Sequence, residues 1–171
     1  SRQLGRMEVG DVLTVRGPFG LIEYLGASRF KVGRNEVTRR FVGMMAGGSG
    51  ITPMYQILAS SLEDPADPTK FSLLYANQTP GDILLRSELE DLERRHKDRF
   101  RLHYTVDRAP TDGSWHYSIG FIDATMISEH MPPKGPDTII LACGPPPMIN
   151  AAIKPNLFDK LGYDKDCLAV F

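Results

Sequence analysis

Two kinds of hydrophobic spacing divide this chain. Up to about residue 32, apolar positions form short clusters interrupted by glycine, proline and charge; from Phe41 onward, compact apolar runs alternate with stretches of helical period. In the first part, Val12–Val15 predicts a strand, introduced by the Gly10–Asp11 turn signal and broken by Gly17–Gly20. Leu21–Leu25 and Phe30–Val32 predict weaker strands, and the polar residues 33–40 read as a linker. This segment has no helical pattern and too little apolar surface to fold alone. It reads as the closing strands of a β-domain, with the division placed between residues 1–37 and 38–171.

The second part alternates strand and helix. Strands are expected at Phe41–Ala46, Phe71–Ala76, Phe100–Val106, Thr138–Cys143 and Leu168–Phe171. Helices are expected at Pro53–Ser61, with Thr52 as N-cap and Pro53 in the first helical position, at Leu84–His96 with Leu85, Leu89 and Leu92 on one face, at Asp123–His130, and at Pro145–Leu157. Such alternation implies an α/β fold, a parallel doubly wound sheet with helices on both faces, preceded by the last strands of an antiparallel barrel.

Composition adds exclusions. Of 171 residues, 42% are hydrophobic and 24% charged, as in ordinary soluble domains. A net charge of −1 offers no overall field for nucleic acid. No apolar run is long enough to span a membrane, and no signal peptide is visible. The cysteines Cys143 and Cys167 are too few for a disulfide framework and fit a reducing compartment. His96, His103, His116 and His130 lack paired ligand spacing, so no metal site is expected. Arg29, Lys31, Arg34, Arg39 and Arg40 form a basic cluster, either a solvated surface or a patch that steers an acidic partner.

The candidate chemistry lies in two glycine-rich turns, AGGSGITPM at Ala46–Met54 and ACGPPPMI at Ala142–Ile149. Each follows a strand and opens a helix. Glycines Gly47, Gly48, Gly50 and Gly144 let the backbone turn tightly and approach a ligand, and N–H groups at a helix start favour an anion or an electron-rich edge. Gly144, Pro145, Pro146 and Pro147 make a stiff, pre-shaped loop. Two such turns at strand ends point to one nucleotide site built across neighbouring strands.

These segments, together with LLYANQTPGDILLRSELEDL, YTVDRAP and GFI in the same order, resemble the NADH-cytochrome b5 reductases. The resemblance runs essentially end to end and implies FAD on a β-barrel, NADH on an α/β domain, and electrons passed singly to a haem protein. It implies that Ser1 meets the FAD pyrophosphate, that Thr52 lies near the flavin as well as capping a helix, and that Phe171 lies close to the flavin site. It further implies that Cys143 and Ser49 place the nicotinamide, Ser49 standing where threonine is more usual. A small buried residue is the alternative for Cys143, and a last core residue the alternative for Phe171. Gly47, Gly48, Gly50, Pro53, Gly144, Pro145, Pro146 and Met148 belong to the same cofactor turns. Asp107 ends a strand where a carboxylate can accept from ribose hydroxyls and repel a 2′-phosphate, which predicts NADH over NADPH, with a turn-forming Asp as the alternative. Phe121 is expected to flank the adenine, with a core aromatic as the alternative.

The expected function is hydride transfer from NADH to FAD, then single electrons to cytochrome b5. The alternatives are a nucleotide-binding fragment without turnover, or the reductase portion of a multidomain enzyme such as nitrate reductase. A monomer is expected, with membrane attachment only through an anchor outside this sequence. The expected location is the cytoplasmic side of the endoplasmic reticulum or the mitochondrial outer membrane if anchored, and the cytoplasm otherwise.

Overall fold

The computed structural model describes residues 4–17 and 19–171. Its first sheet is an antiparallel meander of β1 (Ile22–Gly26), β2 (Arg29–Val32) and β3 (Asn35–Thr38). Residues 33–40 therefore hold a strand rather than a linker. Gly33, at φ +62°, reverses the chain, and Asn35–Thr38 pairs back on β2. The segment reads as polar because it is an edge strand on which only Val37 is half-buried. The strand expected at Val12–Val15 does not form. Val12 and Val15 are 92% and 82% exposed, and no described strand pairs with them, so β-branched residues there find neither ladder nor core.

The meander is joined to the rest by a buried polar cluster. Its β1–β2 turn puts Ala27 and Ser28 in the left-handed region, at φ 49° and 64°. Asp67, which is buried, holds that turn: its carboxylate accepts from the Ala27 N–H at 3.2 Å, from Ser61 Oγ at 2.8 Å, from the Thr69 N–H at 3.0 Å, and from the Tyr24 hydroxyl. Phe30, fully buried, packs into the same core as the strands that follow.

Those strands begin with β4 (Phe41–Gly47), which leads into α1 (Ile51–Glu63), β5 (Lys70–Asn77) and α2 (Arg86–Arg95). Next come β6 (Phe100–Val106), β7 (Ser118–Ile119), α3 (Ala124–His130), β8 (Thr138–Cys143) and β9 (Leu168–Val170). The six strands lie in the order β7-β6-β5-β4-β8-β9 with every neighbouring pair parallel. Side chains alternate across the sheet. Met44, Leu73 and Tyr75 face α1 and α2, meeting Met54, Leu58, Leu89 and Leu92. Met45, Leu74 and Ile140 face the other way, meeting Met126, Ile127, Ile153 and Leu157. The central strands are buried on both faces, which is why they read as continuous apolar runs.

Three helix boundaries differ from expectation. The N-cap of α1 is Gly50, after a short 3-10 turn at Gly48–Gly50, so Thr52 and Pro53 are the second and third helical residues. The glycine turn is already helically wound and consumes the capping position. Helix α2 starts at Arg86 because Leu85 sits in the left-handed region at φ 55° and turns the chain into the helix. The C-terminal helix is wound wide, as π-helix over Met148–Ile153 and Pro155–Lys160. Pro155 has no N–H for an inward bond, and the wider winding carries the chain past it.

The order of the strands places the site. From β4 the chain builds outward through β5, β6 and β7, then returns to the other side of β4 with β8. The connections above the carboxyl ends of β4 and β8 therefore leave in opposite directions and open a crevice, the place where sheets of this kind take ligands.

Candidate functional site

The two glycine-rich turns leave β4 and β8 side by side, since Ala46 lies opposite Cys143 in the parallel register. They interlock. A Cβ built on Gly47 would stand 2.5 Å from Met148 Sδ and 3.1 Å from Pro145 Cδ. One on Gly144 would stand 2.9 Å from Met148 Sδ and 3.3 Å from the Gly47 nitrogen. One on Gly50 would come within 2.6 Å of the Cys143 carbonyl carbon. At Gly50 only glycine lets the two backbones lie this close, whereas at Gly47 and Gly144 the nearest neighbour is the flexible Met148 side chain. Gly48 differs: its φ of +53° is a left-handed turn, nothing lies within 4 Å of a Cβ there, and its carbonyl accepts from the Tyr75 hydroxyl at 2.8 Å.

The interlocked turns form one wall of a cleft of about 900 Å³, within the size range of nucleotide and drug-sized sites. Gly47, Gly48, Ser49, Pro145 and Met148 line it from the turns, and Asp107 and Phe121 line it from the ends of β6 and β7. Asp107 is anchored by its N–H, which donates to the Asn77 carbonyl at 3.1 Å. The loop after Asp107 folds back on the sheet, where Trp115 donates to the Ser118 carbonyl at 2.9 Å and packs on Tyr104 and Tyr117. Phe121 is 77% exposed, so it is a free aromatic face at the cleft and not a core residue.

Other expected residues stand behind or beside the cleft. Gly50 and Gly144 act as the contact between the two turns. Cys143 does not line the cleft; it is half-buried at the end of β8, and burial pushes its thiol above the usual range, which keeps it protonated and unreactive. Pro146 is exposed on the outer side of its turn. Thr52, also exposed, donates to the Ser49 carbonyl at 3.1 Å and so braces the turn from below, while Pro53 is half-buried in α1. Phe171, 44% exposed, hangs from the Ala142 carbonyl through its N–H at 3.0 Å, beside the end of β8. Ser1 lies outside the described residues.

The sequence reasoning missed several wall residues. Asn77 ends β5 and Gln78 follows it, Ala151, Ala152 and Asn156 come from the π-wound helix, and Ile122 follows Phe121. Asn77 and Asn156 each carry a buried side-chain atom without a hydrogen-bond partner, Nδ2 in the first and Oδ1 in the second. Polar residues at a strand end were a usable signal for Asn77; nothing local marks Asn156. Among the described residues no group of three or more metal-ligating side chains comes together, and no helix is long and apolar enough to cross a membrane.

This geometry suits a dinucleotide. The cleft is of nucleotide size, two helix-opening turns form one wall, and a carboxylate and an aromatic face line it as well.

Comparison with known proteins agrees. Residues 44–154 match the oxidoreductase NAD-binding domain family. Over 171 residues the chain is 53% identical to NADH-cytochrome b5 reductase 2 of Gallus gallus, covering 96% of this chain and 55% of that protein. It is 47% identical to human NADH-cytochrome b5 reductase 1, covering 96% of this chain and 55% of the relative. The chain thus spans about half the length of these curated relatives. The crystal structure of the cytochrome b5 reductase domain of Ulva prolifera nitrate reductase superposes with a TM-score of 0.93 at 44% identity, covering 99% of this chain and 64% of that one. The chain belongs to the oxidoreductase NAD-binding domain family, within which its sequence is similar to the NADH-cytochrome b5 reductases.

Proposed function

We propose that this chain is the NADH-binding part of an FAD-dependent NADH-cytochrome b5 reductase. When bound, NADH supplies a hydride and FAD accepts it for one-electron delivery to a haem protein. The chain's own residues bind and orient. The turn at Gly47–Gly50 and the turn at Gly144–Met148 hold the dinucleotide's middle, with Ser49 presenting its hydroxyl on the cleft side. Asp107 accepts from the adenosine ribose hydroxyls, and Phe121 covers the base. Cys143 supports the nicotinamide end from behind the wall and keeps the Gly50 contact; its protonated thiol takes no covalent part. The flavin-facing roles fall to Ser1, Thr52 and Phe171, with residues 1–37 as the end of the FAD barrel and 38–171 as the NADH domain.

The observation that carries this reading is the interlock of two glycine turns at the switch point of the sheet, opening into a cleft that ends at Asp107. The purified chain is expected to bind NADH in a fluorescence titration. Absence of binding refutes the assignment. Because the chain spans about half of its curated relatives, a second reading stands beside the first: a nucleotide-binding module that does not turn over by itself. Flavin absorbance and NADH-ferricyanide activity of the purified chain separate them. The likeness to a nitrate reductase domain supports a third arrangement, in which this unit serves as the reductase portion of a larger enzyme.

Cytochrome b5 is the proposed acceptor. Arg29, Lys31, Arg34 and Arg40 are exposed, although Lys31 lies opposite Glu36 in the meander and is partly offset by it. Steering by this patch requires cytochrome reduction to weaken from low to high ionic strength. The proposed setting is the cytoplasm, or the cytoplasmic face of a membrane where an anchor accompanies the chain.

A further inference from the structure

We propose that His103 is a positioning residue for the cleft: it fastens both ends of residues 118–130, which carry Phe121, Ile122 and Asp123 into the wall, and releases them in acid. The inference rests on the nucleotide reading above only for what the cleft binds.

After β6 the chain makes one excursion before it returns to the sheet as β8. It forms β7, passes along the cleft at Phe121, Ile122 and Asp123, and enters α3, where the Asp123 carboxylate accepts from the Met126 N–H at 2.9 Å. His103, half-buried on β6, meets the two ends of this stretch. At the start, its Nε2 is hydrogen-bonded to Ser118 Oγ at 2.8 Å. At the end, the His130 ring lies flat on it, with centroids 3.5 Å apart and planes 12° from parallel. Elsewhere the stretch is held by Gly120, whose N–H donates to the Val106 carbonyl at 2.8 Å and whose carbonyl accepts from Thr105 Oγ1 at 2.7 Å. Met126 and Ile127 pack beneath α3. With two residues in β7 and seven in α3, neither element persists without such contacts.

The fastening is sensitive to protons at one of its ends. The Ser118 hydroxyl accepts from a charged imidazole as readily as it bonds a neutral one. The stack has no such freedom, because a charge on His103 would sit half-buried against a second basic ring. Burial and His130 hold His103 down to about 4, and burial lowers His130 as well. Few other groups face the pair. Tyr117 meets His103 edge-on at 5.5 Å, and Arg101, exposed on the same face of β6, adds like charge. Leu74 stands opposite on β5. Glu129 lies 3.8 Å from His130 Nε2, but it is 64% exposed and offsets little. Once the stretch is released, the rings regain water and take up protons near pH 6.5. Below that pH, acid favours the released form by about tenfold for each pH unit and each proton.

Hydrogen exchange of the wild-type chain at pH 7 and at pH 5, corrected for the intrinsic rate, tests this. Residues 118–130 are expected to exchange faster than α1 at both values. Their opening is expected to rise at least about twentyfold at pH 5, from His103 alone. His103→Phe, whose ring takes up no proton, is expected to cut that rise at least about tenfold. Saturating NADH, followed by its fluorescence, is expected to restore protection to residues 118–130. Exchange no faster than that of α1 means that the stretch opens only with the whole domain, and overturns the inference without any variant. An undiminished rise in His103→Phe overturns it too, as does NADH that binds without protecting the stretch. Failure to bind NADH has a different signature: it refutes the nucleotide site, and the two pH arms still decide the fastening.

Discussion

Replacing Gly50 with alanine isolates the contact on which the candidate site depends. Gly50 has φ −63° and ψ −4°, a conformation any residue adopts, so the substitution carries no backbone strain, although alanine caps α1 less well than glycine. Its main penalty is space. The new Cβ would stand 2.6 Å from the Cys143 carbonyl carbon and 3.1 Å from the Gly144 nitrogen, against an ordinary contact of 3.4 Å or more. The Cys143 carbonyl oxygen lies nearer still, so the difference at the carbon, 3.4 − 2.6 or about 0.8 Å, is the least by which the β4 and β8 turns must part. The obstacle is backbone in the middle of a parallel sheet, not the end of a flexible side chain. Overpacking of this kind costs about 3 kcal/mol, the upper end of the usual range. In a domain of this size that lowers Tm by about 6–12 °C. Gly48→Ala is the control. It meets nothing within 4 Å but forces alanine to φ +53°, so about 1 kcal/mol and about 2–4 °C are expected. Nucleotide affinity, read by NADH fluorescence, should fall about tenfold or more in Gly50→Ala as the cradle widens. A Gly50→Ala protein with wild-type Tm and wild-type NADH affinity would refute the reasoning.

Three further outcomes are expected. Asp107→Ser should shift the ratio of NADH to NADPH affinity about tenfold toward NADPH by removing the like charge, and an unchanged ratio takes that role from Asp107. Burial raises the Asp67 carboxyl, but hydrogen bonds from Thr69, Tyr24 and Ser61 outweigh it and hold the group below its usual 3.8, so its contribution to stability is present above about pH 4 and lost as pH falls further. Asp67→Asn should accordingly cost about 1–3 kcal/mol at neutral pH in urea unfolding and lessen the acid sensitivity below pH 4. His103 is pulled down to about 4 by burial and by His130, whose ring stacks on it at 3.5 Å. The unfolded chain takes up that proton near pH 6.5 and the folded one does not, so stability should decline as pH drops from 6.5 toward 4. His103→Phe should flatten the Tm profile across that window; a profile identical to wild type would remove His103 from the account.

What the sequence determined by itself was the class of fold and the two glycine turns that meet at the candidate cleft. Strands β4, β5, β6 and β8 are central or nearly so and buried on both faces, and burial on both faces writes itself into a chain as an apolar run. The glycine turns were legible because tight turns and close backbone approach leave few alternatives to glycine and proline. Edge elements were misread for the same physical reason in reverse. An edge strand such as Asn35–Thr38 buries little and looks like a linker, while Val12–Val15 has strand-forming residues and no strand to pair with.

Tertiary structure decided everything that depends on strand order. Only the return of the chain to the far side of β4 brings Cys143 against Gly50 and makes two distant turns one wall. The same packing withdrew Cys143 from the cleft surface, left Phe121 exposed on it, and brought Asn156 of the C-terminal helix to the same wall. Local pattern records how each segment buries its own side chains. Which atoms of remote segments meet is settled by long-range packing alone.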